Sequence, residues 1–268
     1  MSESDAIDRV EDPVTVSALT ADLHCLGVEA GDTLLVHSSL SALGWVCGDA
    51  PAVVDALMDV LTPTGTLVMP THTTQYTDPT FWSAPPVPDH WVPQIRESMP
   101  PFRPAVTPSR GMGAVPECFR SYPGVSRSEH PFYSFAAWGA DAETVVAAHT
   151  PDDGLGESSP LARVYDLGGK VLLLGVGHDR NTSLHLAEHR GDFPKERTSD
   201  GAPLVREGER VWVSFEDIEQ DTEDFPEVGA AFERGDAVRE GDVGAATAKL
   251  MAQPELVDFA TEWFGANR

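Results

Sequence analysis

Apolar positions recur along this chain in two rhythms. Val16, Leu19, Leu23 and Leu26 stand at helical spacing and predict a helix over residues 14–26, with Gly27 as its C-cap. Thr33–Val36, Thr66–Met69 and Val171–Leu174 are short unbroken apolar runs that read as strands buried on both faces. Between the first two lies a helical stretch, Ala50–Leu61, entered through Asp49 and Pro51 and left through Pro63 and Gly65. Strand, helix, strand at this length is a βαβ unit, which predicts a parallel pair. Further helices are expected over 114–120, 141–148, 161–167, 224–233, 243–251 and 255–264, and short strands before Gly139 and over Arg210–Phe215. Residues 74–108 hold nine prolines, a density that argues against regular helix or sheet. Their aromatics, Phe81, Trp82, Trp91 and Phe102, argue for a packed lid, substrate-binding wall or interface segment. Residues 194–222 read as polar, acidic and loop-rich. The expected fold is one α/β domain over 13–268, a largely parallel or mixed sheet flanked by helices, with an elaborated loop-rich lobe. Residues 1–12, with five acids, are expected to be a frayed leader.

The chemistry gathers where the predicted strands end. His37, Ser38 and Ser39 follow the first, and Thr71, His72 and Thr73 follow the second. Neighbouring parallel strands bring such ends together, where hydroxyls and free backbone N–H groups suit an amide-rich or phosphorylated ligand, or simply cap the next helices. Ser109-Arg-Gly-Met-Gly113 opens a helix, but it is neither a P-loop nor a dinucleotide fingerprint. After the third strand, Gly175 and Gly177 permit a sharp turn, and Asn181, Thr182 and Ser183 are helix N-cap types. His185, Glu188 and His189 then fall at i, i+3 and i+4, close to one helix face. Open α/β folds place ligands at such strand ends. The same three residues also match the H-x-x-E-H zinc pattern, with His178 as the local candidate for a third ligand. A plain solvated His–Glu pair is the remaining alternative.

Asp and Glu number 43 against 18 Lys and Arg, a formal net charge of −25. That excludes a basic nucleic-acid or anionic-membrane surface. The acids are spread along the chain, which favours adaptation to high salt over a cleft that collects polycations. Lowering the salt is therefore expected to lower the melting temperature, and a protein equally stable in dilute buffer would count against salt adaptation. Cys25, Cys47 and Cys118 are scattered and odd in number, as suits reduced thiols in a cytoplasm. Residues 1–10 lack the apolar core of a signal peptide, and no apolar run approaches the ~20 residues that span a bilayer.

Taken in order, the chain resembles the aminoglycoside 3-N-acetyltransferase family, which is separate from the GNAT acetyltransferases. The resemblance rests on Val36-His-Ser-Ser-Leu40 with Gly44, on Gly65-Thr-Leu-Val-Met-Pro-Thr-His72, and on Ser109-Arg-Gly-Met-Gly113 with Pro116-Glu117. It continues through His130-Pro with Ser134–Gly139, Gly156-Glu157 with Ser159–Ala162, Leu172–Glu188, and the tail segments Asp242–Gly244 and Leu256–Ala260. Ser158 departs from the pattern, since an acidic residue is common there. The resemblance implies an antibiotic N-acetyltransferase-like α/β fold. It implies acetyl transfer from acetyl-coenzyme A, as cosubstrate and without a metal, to the 3-amino group of a 2-deoxystreptamine aminoglycoside or a related cationic amine. It further implies that His37, Ser38, Ser39, Ser109, Met112 and Gly113 form the coenzyme A site. His185 is then the general base, oriented by Glu188 or by Glu157. The Met112 and Gly113 N–H groups, or the Ser39 hydroxyl, would stabilise the oxyanion.

Overall fold

The computed structural model describes residues 3–268. In chain order the elements are α1 (Glu3–Ile7), α2 (Val16–Leu26), β1 (Thr33–Ser38), α3 (Asp49–Leu61), β2 (Thr66–Pro70), α4 (Val92–Ser98), α5 (Ala114–Phe119), β3 (Ser126–Arg127), β4 (Phe135–Gly139) and α6 (Ala142–Val146). There follow α7 (Pro160–Asp166), β5 (Lys170–Leu174), α8 (Ser183–Arg190), β6 (Arg197–Arg206), β7 (Glu209–Ile218), α9 (Phe225–Phe232), β8 (Val238–Val243), β9 (Ala246–Ala252) and α10 (Gln253–Asn267).

Seven strands form one mixed sheet in the order β3-β4-β2-β1-β5-β9-β8. Its centre is parallel: β1 runs beside β2 on one side and β5 on the other, while β4 and β9 flank this trio antiparallel. The period of two along a strand sorts side chains between two apolar layers. Leu34, Val36, Leu67, Met69, Leu172 and Leu174 pack with α2, α3 and α5. Leu35, Val68, Val171 and Leu173 pack on the other face with α7, α8 and α10. That alternation continues to the strand tips, so His37 follows Leu35 toward the α8 side and Ser38 follows Val36 toward the α3 side. The first helix stops and starts as its sequence dictates. Thr15 caps α2 by accepting from the Ala18 N–H at 3.2 Å, and Gly27 closes it at φ 104°. A side-chain N-cap of this kind contributes about 1 kcal/mol.

Several expectations are corrected by tertiary pairing. Residues 243–251 are not a helix: they turn at Gly244 (φ 56°) into β9, which pairs with β5 and β8. The alanines suit a helix in isolation, but the exposed edge of β5 needs a strand, and pairing outweighs propensity. The strand expected over Arg210–Phe215 lies within β7, but the rest of 197–218 is not loop: two ten-residue strands, β6 and β7, form an antiparallel hairpin turned at Glu207 and Gly208 with φ of 53° and 83°. Two consecutive positive φ values are the turn that matches strand twist. The proline-rich segment does contain a helix, α4, because Pro93 sits in its first turn, where no N–H is required. Phe81 and Trp91 are not packed but 53% and 51% exposed, whereas Phe102 is buried. The segment is fastened to the hairpin by the Asp78 N–H to Asp200 Oδ1 (2.6 Å) and the Phe102 N–H to the Pro203 carbonyl (2.9 Å). Within the stretch expected to be frayed, α1 is folded, and the indole N–H of Trp45 points at Glu3 across 3.4 Å. Met1 and Ser2 lie outside the described residues. No helix among the described residues is long and apolar enough to cross a membrane.

Candidate active site

The carboxyl ends of β2, β1 and β5 lie side by side, and three loops leave them on the same edge of the sheet. From β1 come His37, Ser38 and Ser39. The register pairs His37 with Leu173 and Ser38 with Leu174. The loop before α5 reaches the same edge because the Arg110 N–H donates to the His72 carbonyl at 2.9 Å. Together these loops wall a cavity of about 860 Å³ whose lining includes His37, Ser38, Ser39, Met112, Gly113 and Thr182. The Ser38 hydroxyl is buried and has no hydrogen-bond partner among the described residues. Gly113 sits at φ 92°, a conformation only glycine adopts without strain, and a Cβ there would face the Ser38 carbonyl at 3.8 Å. A buried polar group without a partner costs free energy, so a site lined by one is suited to a polar ligand.

Of the residues expected in this site, Ser109 stands one step back. Its N–H and hydroxyl donate to Glu117 at 2.8 and 2.6 Å, and Arg120 clasps the same carboxylate. Burial pushes the Glu117 pKa up, but the hydrogen bonds from Arg120 and Ser109 outweigh it and hold the carboxyl at about 2. Ser109 therefore braces the loop whose Met112 and Gly113 reach the cavity.

The helix after β5 carries the titratable pair. His185 Nδ1 lies 2.6 Å from Glu188 Oε2, one helical turn apart, with Glu188 only 1% exposed. Phe225 meets the imidazole edge to face at 4.9 Å between centroids. The other ring nitrogen, Nε2, has no hydrogen-bond partner among the described residues. A carboxylate accepting at Nδ1 selects the tautomer with its proton there and leaves the Nε2 lone pair free. Burial pushes the Glu188 pKa up. The hydrogen bond from His185, then those from Arg268 and the Asp221 N–H, more than offset this and keep the carboxyl below its usual range. His37 is 3.3 Å from Thr182 Oγ1 at the entry to the same helix. Burial, with smaller repulsions from His185 and His178, pushes its pKa down to about 3, so it is neutral at every physiological pH. His72, edge-on to Tyr133 and Phe135, is likewise held far below the imidazole range by burial.

Glu157 is not beside His185. Its carboxylate accepts from Arg190 at 2.7 Å, with the side chain 66% exposed. The helix turn that brings Glu188 to His185 leaves Glu157 at the opposite end of α8. The H-x-x-E-H zinc arrangement is also not assembled. Among the described residues, no metal-holding cluster contains His185, Glu188 or His178. His178 instead pairs with Glu233 at 3.0 Å. His189 faces Asp153 and Asp217, whose donor atoms lie with its own within 4.8 Å, and Arg197 already sits 3.0 Å from Asp153. Sequence reasoning missed Thr182 as the partner of His37, and Phe225 and Arg268 as neighbours of the pair. Thr182 was legible as a cap, but Phe225 and Arg268 come from 40 and 80 residues downstream of their partners, and no local pattern points to them.

The model of the aminoglycoside 3-N-acetyltransferases matches residues 35–265. The chain belongs to that family. It is 48% identical over 256 residues to the SPbeta prophage-derived aminoglycoside N(3')-acetyltransferase-like protein YokD of Bacillus subtilis, covering 95% of this chain and 94% of that one. The YokD crystal structure superposes with a TM-score of 0.96, covering 98% of each chain. Two more distant acetyltransferases of the family share the fold with TM-scores of 0.86. They are AAC-IIIb, solved as a binary complex with CoASH, at 32% identity over 96% of this chain and 100% of that one, and AAC-VIa bound to sisomicin, at 33% identity over 96% and 99%. As a member of the aminoglycoside 3-N-acetyltransferases, the protein is an acyltransferase, and acetyl-coenzyme A is the family's cosubstrate.

Proposed function

We propose that this acyltransferase moves the acetyl group of acetyl-coenzyme A onto the 3-amino group of a 2-deoxystreptamine aminoglycoside or a closely related amine, with His185 as general base. The observation that carries the reading is the His185–Glu188 pair, at 2.6 Å, on the sheet edge that also holds the His37–Ser39 cavity. The acceptor arrives as an ammonium and is not nucleophilic until it loses a proton. Nε2 of His185 takes that proton, and the nitrogen adds to the thioester carbonyl. The tetrahedral intermediate then collapses: the C–S bond breaks, the coenzyme A thiolate leaves and takes up a proton, and the nitrogen gives up one of its two protons, so that the product amide keeps a single N–H. No acyl-enzyme is needed. The Met112 and Gly113 N–H groups, which have no acceptor among the described residues, and the Ser39 hydroxyl are the donors proposed for the oxyanion and for the pantetheine amides. His37, whose pKa burial pushes down to about 3, is too weak a base to compete for the acceptor's proton.

The CoASH complex of AAC-IIIb supports the assignment of the cavity to coenzyme A, and sisomicin on AAC-VIa supports a cationic amine as acceptor. Three free cysteines support a reducing, cytoplasmic site of action. The test is thiol release from acetyl-coenzyme A, in high salt, with a panel of aminoglycosides and simple polyamines. Release with a 2-deoxystreptamine compound is expected. Release with other amines alone would keep the chemistry and remove the aminoglycoside, and no release with any acceptor would make the chain a binding protein only. Within this reading, Ser39→Ala is expected to weaken coenzyme A affinity or thioester turnover by about tenfold, one lost hydrogen bond to a polar ligand. Titration calorimetry and initial rates both unchanged would take Ser39 out of the site.

A further inference from the structure

The Glu188 carboxylate is held from behind by a residue that comes from the far end of the chain. Arg268, following α10, donates from Nη1 to Glu188 Oε1 at 2.5 Å. Its Nε and Nη2 donate to the two carboxylate oxygens of Asp224, at 2.8 and 2.5 Å, and Nη2 also reaches the Asp221 carbonyl at 2.6 Å. The guanidinium lies 4.0 Å over the Phe264 ring, so it is fixed in plane as well as in position. The Asp221 N–H adds a donor to Glu188 Oε1 at 3.1 Å, leaving Oε2 to His185.

We propose that Arg268 is a positioning residue for acetyl transfer: its guanidinium holds the Glu188 carboxylate so that Oε2 receives the Nδ1–H of His185, and Nε2 keeps its lone pair for the acceptor ammonium. The inference rests on the reading of His185 as the base. Its physical ground is the burial of Glu188. A carboxylate 1% exposed needs a countercharge, and without one the group nearest to hand supplies it. Here that group is the imidazole. A buried carboxylate without a countercharge favours a proton shared with its imidazole partner, and a proton held there on either group blocks the base. Arg268 provides the charge permanently, so the proton on His185 is not required for the carboxylate to stay ionised.

The other titratable groups around the pair do not do this. His37 from β1, His72 after β2 and His189 on α8 are the imidazoles electrostatically coupled to His185, and burial holds all three neutral. Tyr133, whose pKa burial pushes up, is also uncharged. Asp224, before α9, accepts from Nε and Nη2 of the same guanidinium and holds its plane, while Nη1 is left to Glu188.

The experiment is the pH profile of kcat/KM for Arg268→Gln, Arg268→Lys, Glu188→Gln and the Glu188→Gln/Arg268→Gln double variant, with His185→Ala as control and thermal unfolding to verify folding. Arg268→Gln is expected to lower kcat by roughly tenfold to a hundredfold with a smaller change in KM. Its acidic limb should move to higher pH, because the loss of a neighbouring positive charge favours a proton on the pair. Arg268→Lys should recover part of the loss, and guanidinium chloride far below its denaturing range should partly rescue Arg268→Gln. The double variant should be no slower than Glu188→Gln, since Arg268 acts only through that carboxylate. An Arg268→Gln profile that is scaled down without moving, unresponsive to guanidinium, and additive with Glu188→Gln would overturn the proposal and leave Arg268 a structural residue. If His185→Ala turns over normally, the base reading fails instead, and that result is separate from any outcome at Arg268.

Discussion

His185→Ala is expected to bind coenzyme A normally and to lose acetyl transfer by roughly 10²–10⁴-fold, the contribution usual for a general base. The affinity is retained because His185 does not line the cavity assigned to coenzyme A, whose walls come from the β1 end and the loop before α5. The rate falls because the other imidazoles at that edge cannot take the ammonium proton. His37 and His72 are imidazoles too, but burial has driven their pKa values so low that neither accepts a proton near neutrality. The residual rate should climb with pH through the acceptor's own ammonium range, since free amine then forms in solution. The helix itself should survive, because Glu188 still accepts from Arg268 and from the Asp221 N–H. Initial rates of thiol release across pH, with coenzyme A affinity by calorimetry, check both halves. Near-normal turnover would remove His185 from the mechanism.

Gly139→Ala should be the most damaging small substitution in the sheet. Gly139 ends β4 opposite Thr66 and sits at φ 108°, where a side chain is strained. A Cβ built there would lie 2.0 Å from the Gly65 carbonyl oxygen and 2.9 Å from its carbon. Those are backbone atoms, and the same Gly65 carbonyl accepts the Ala140 N–H at 2.9 Å, so relief requires parting β4 from β2. Strain and overpacking together should destabilise by about 3 kcal/mol or more. For a domain of this size that is a fall in melting temperature of about 6–12 °C. Thermal unfolding by circular dichroism measures it, and a shift below about 2 °C would show that the strands part at little cost.

What could be read from residues in order was everything local. The βαβ unit from β1 to β2 followed from apolar runs separated by a capped helix, because burial on both faces leaves an unbroken apolar signature. Helical spacing put Glu188 within reach of His185, since three residues on a helix return to the same face, but left Glu157 open as the alternative. The gathering of the His37 and Met112 segments at one edge was legible as resemblance to a family, not as geometry. Where the local signal was ambiguous, the reading failed. Ala246–Ala252 carries alanines that suit a helix, and only the unpaired edge of β5 makes it a strand. In the hairpin from Arg197 to Ile218 the alternation at Arg210–Phe215 was legible as strand, but the first strand is polar on its open side and its alternation was diluted.

By itself, the sequence determined the α/β class, the parallel centre, the strand-end histidines and serines, and the His–Glu spacing, because each depends on neighbours within a few turns. Tertiary structure decided which carboxylate serves His185. It set Glu188 behind the imidazole and sent Glu157 to Arg190. It separated His178 and His189 from the pair that shares their motif. It also delivered Arg268 to a carboxylate 80 residues away. The reason is physical. A buried charge must be met by whatever the folded chain brings within about 3 Å, and that depends on how α8, α9 and α10 pack, which no spacing along the sequence records.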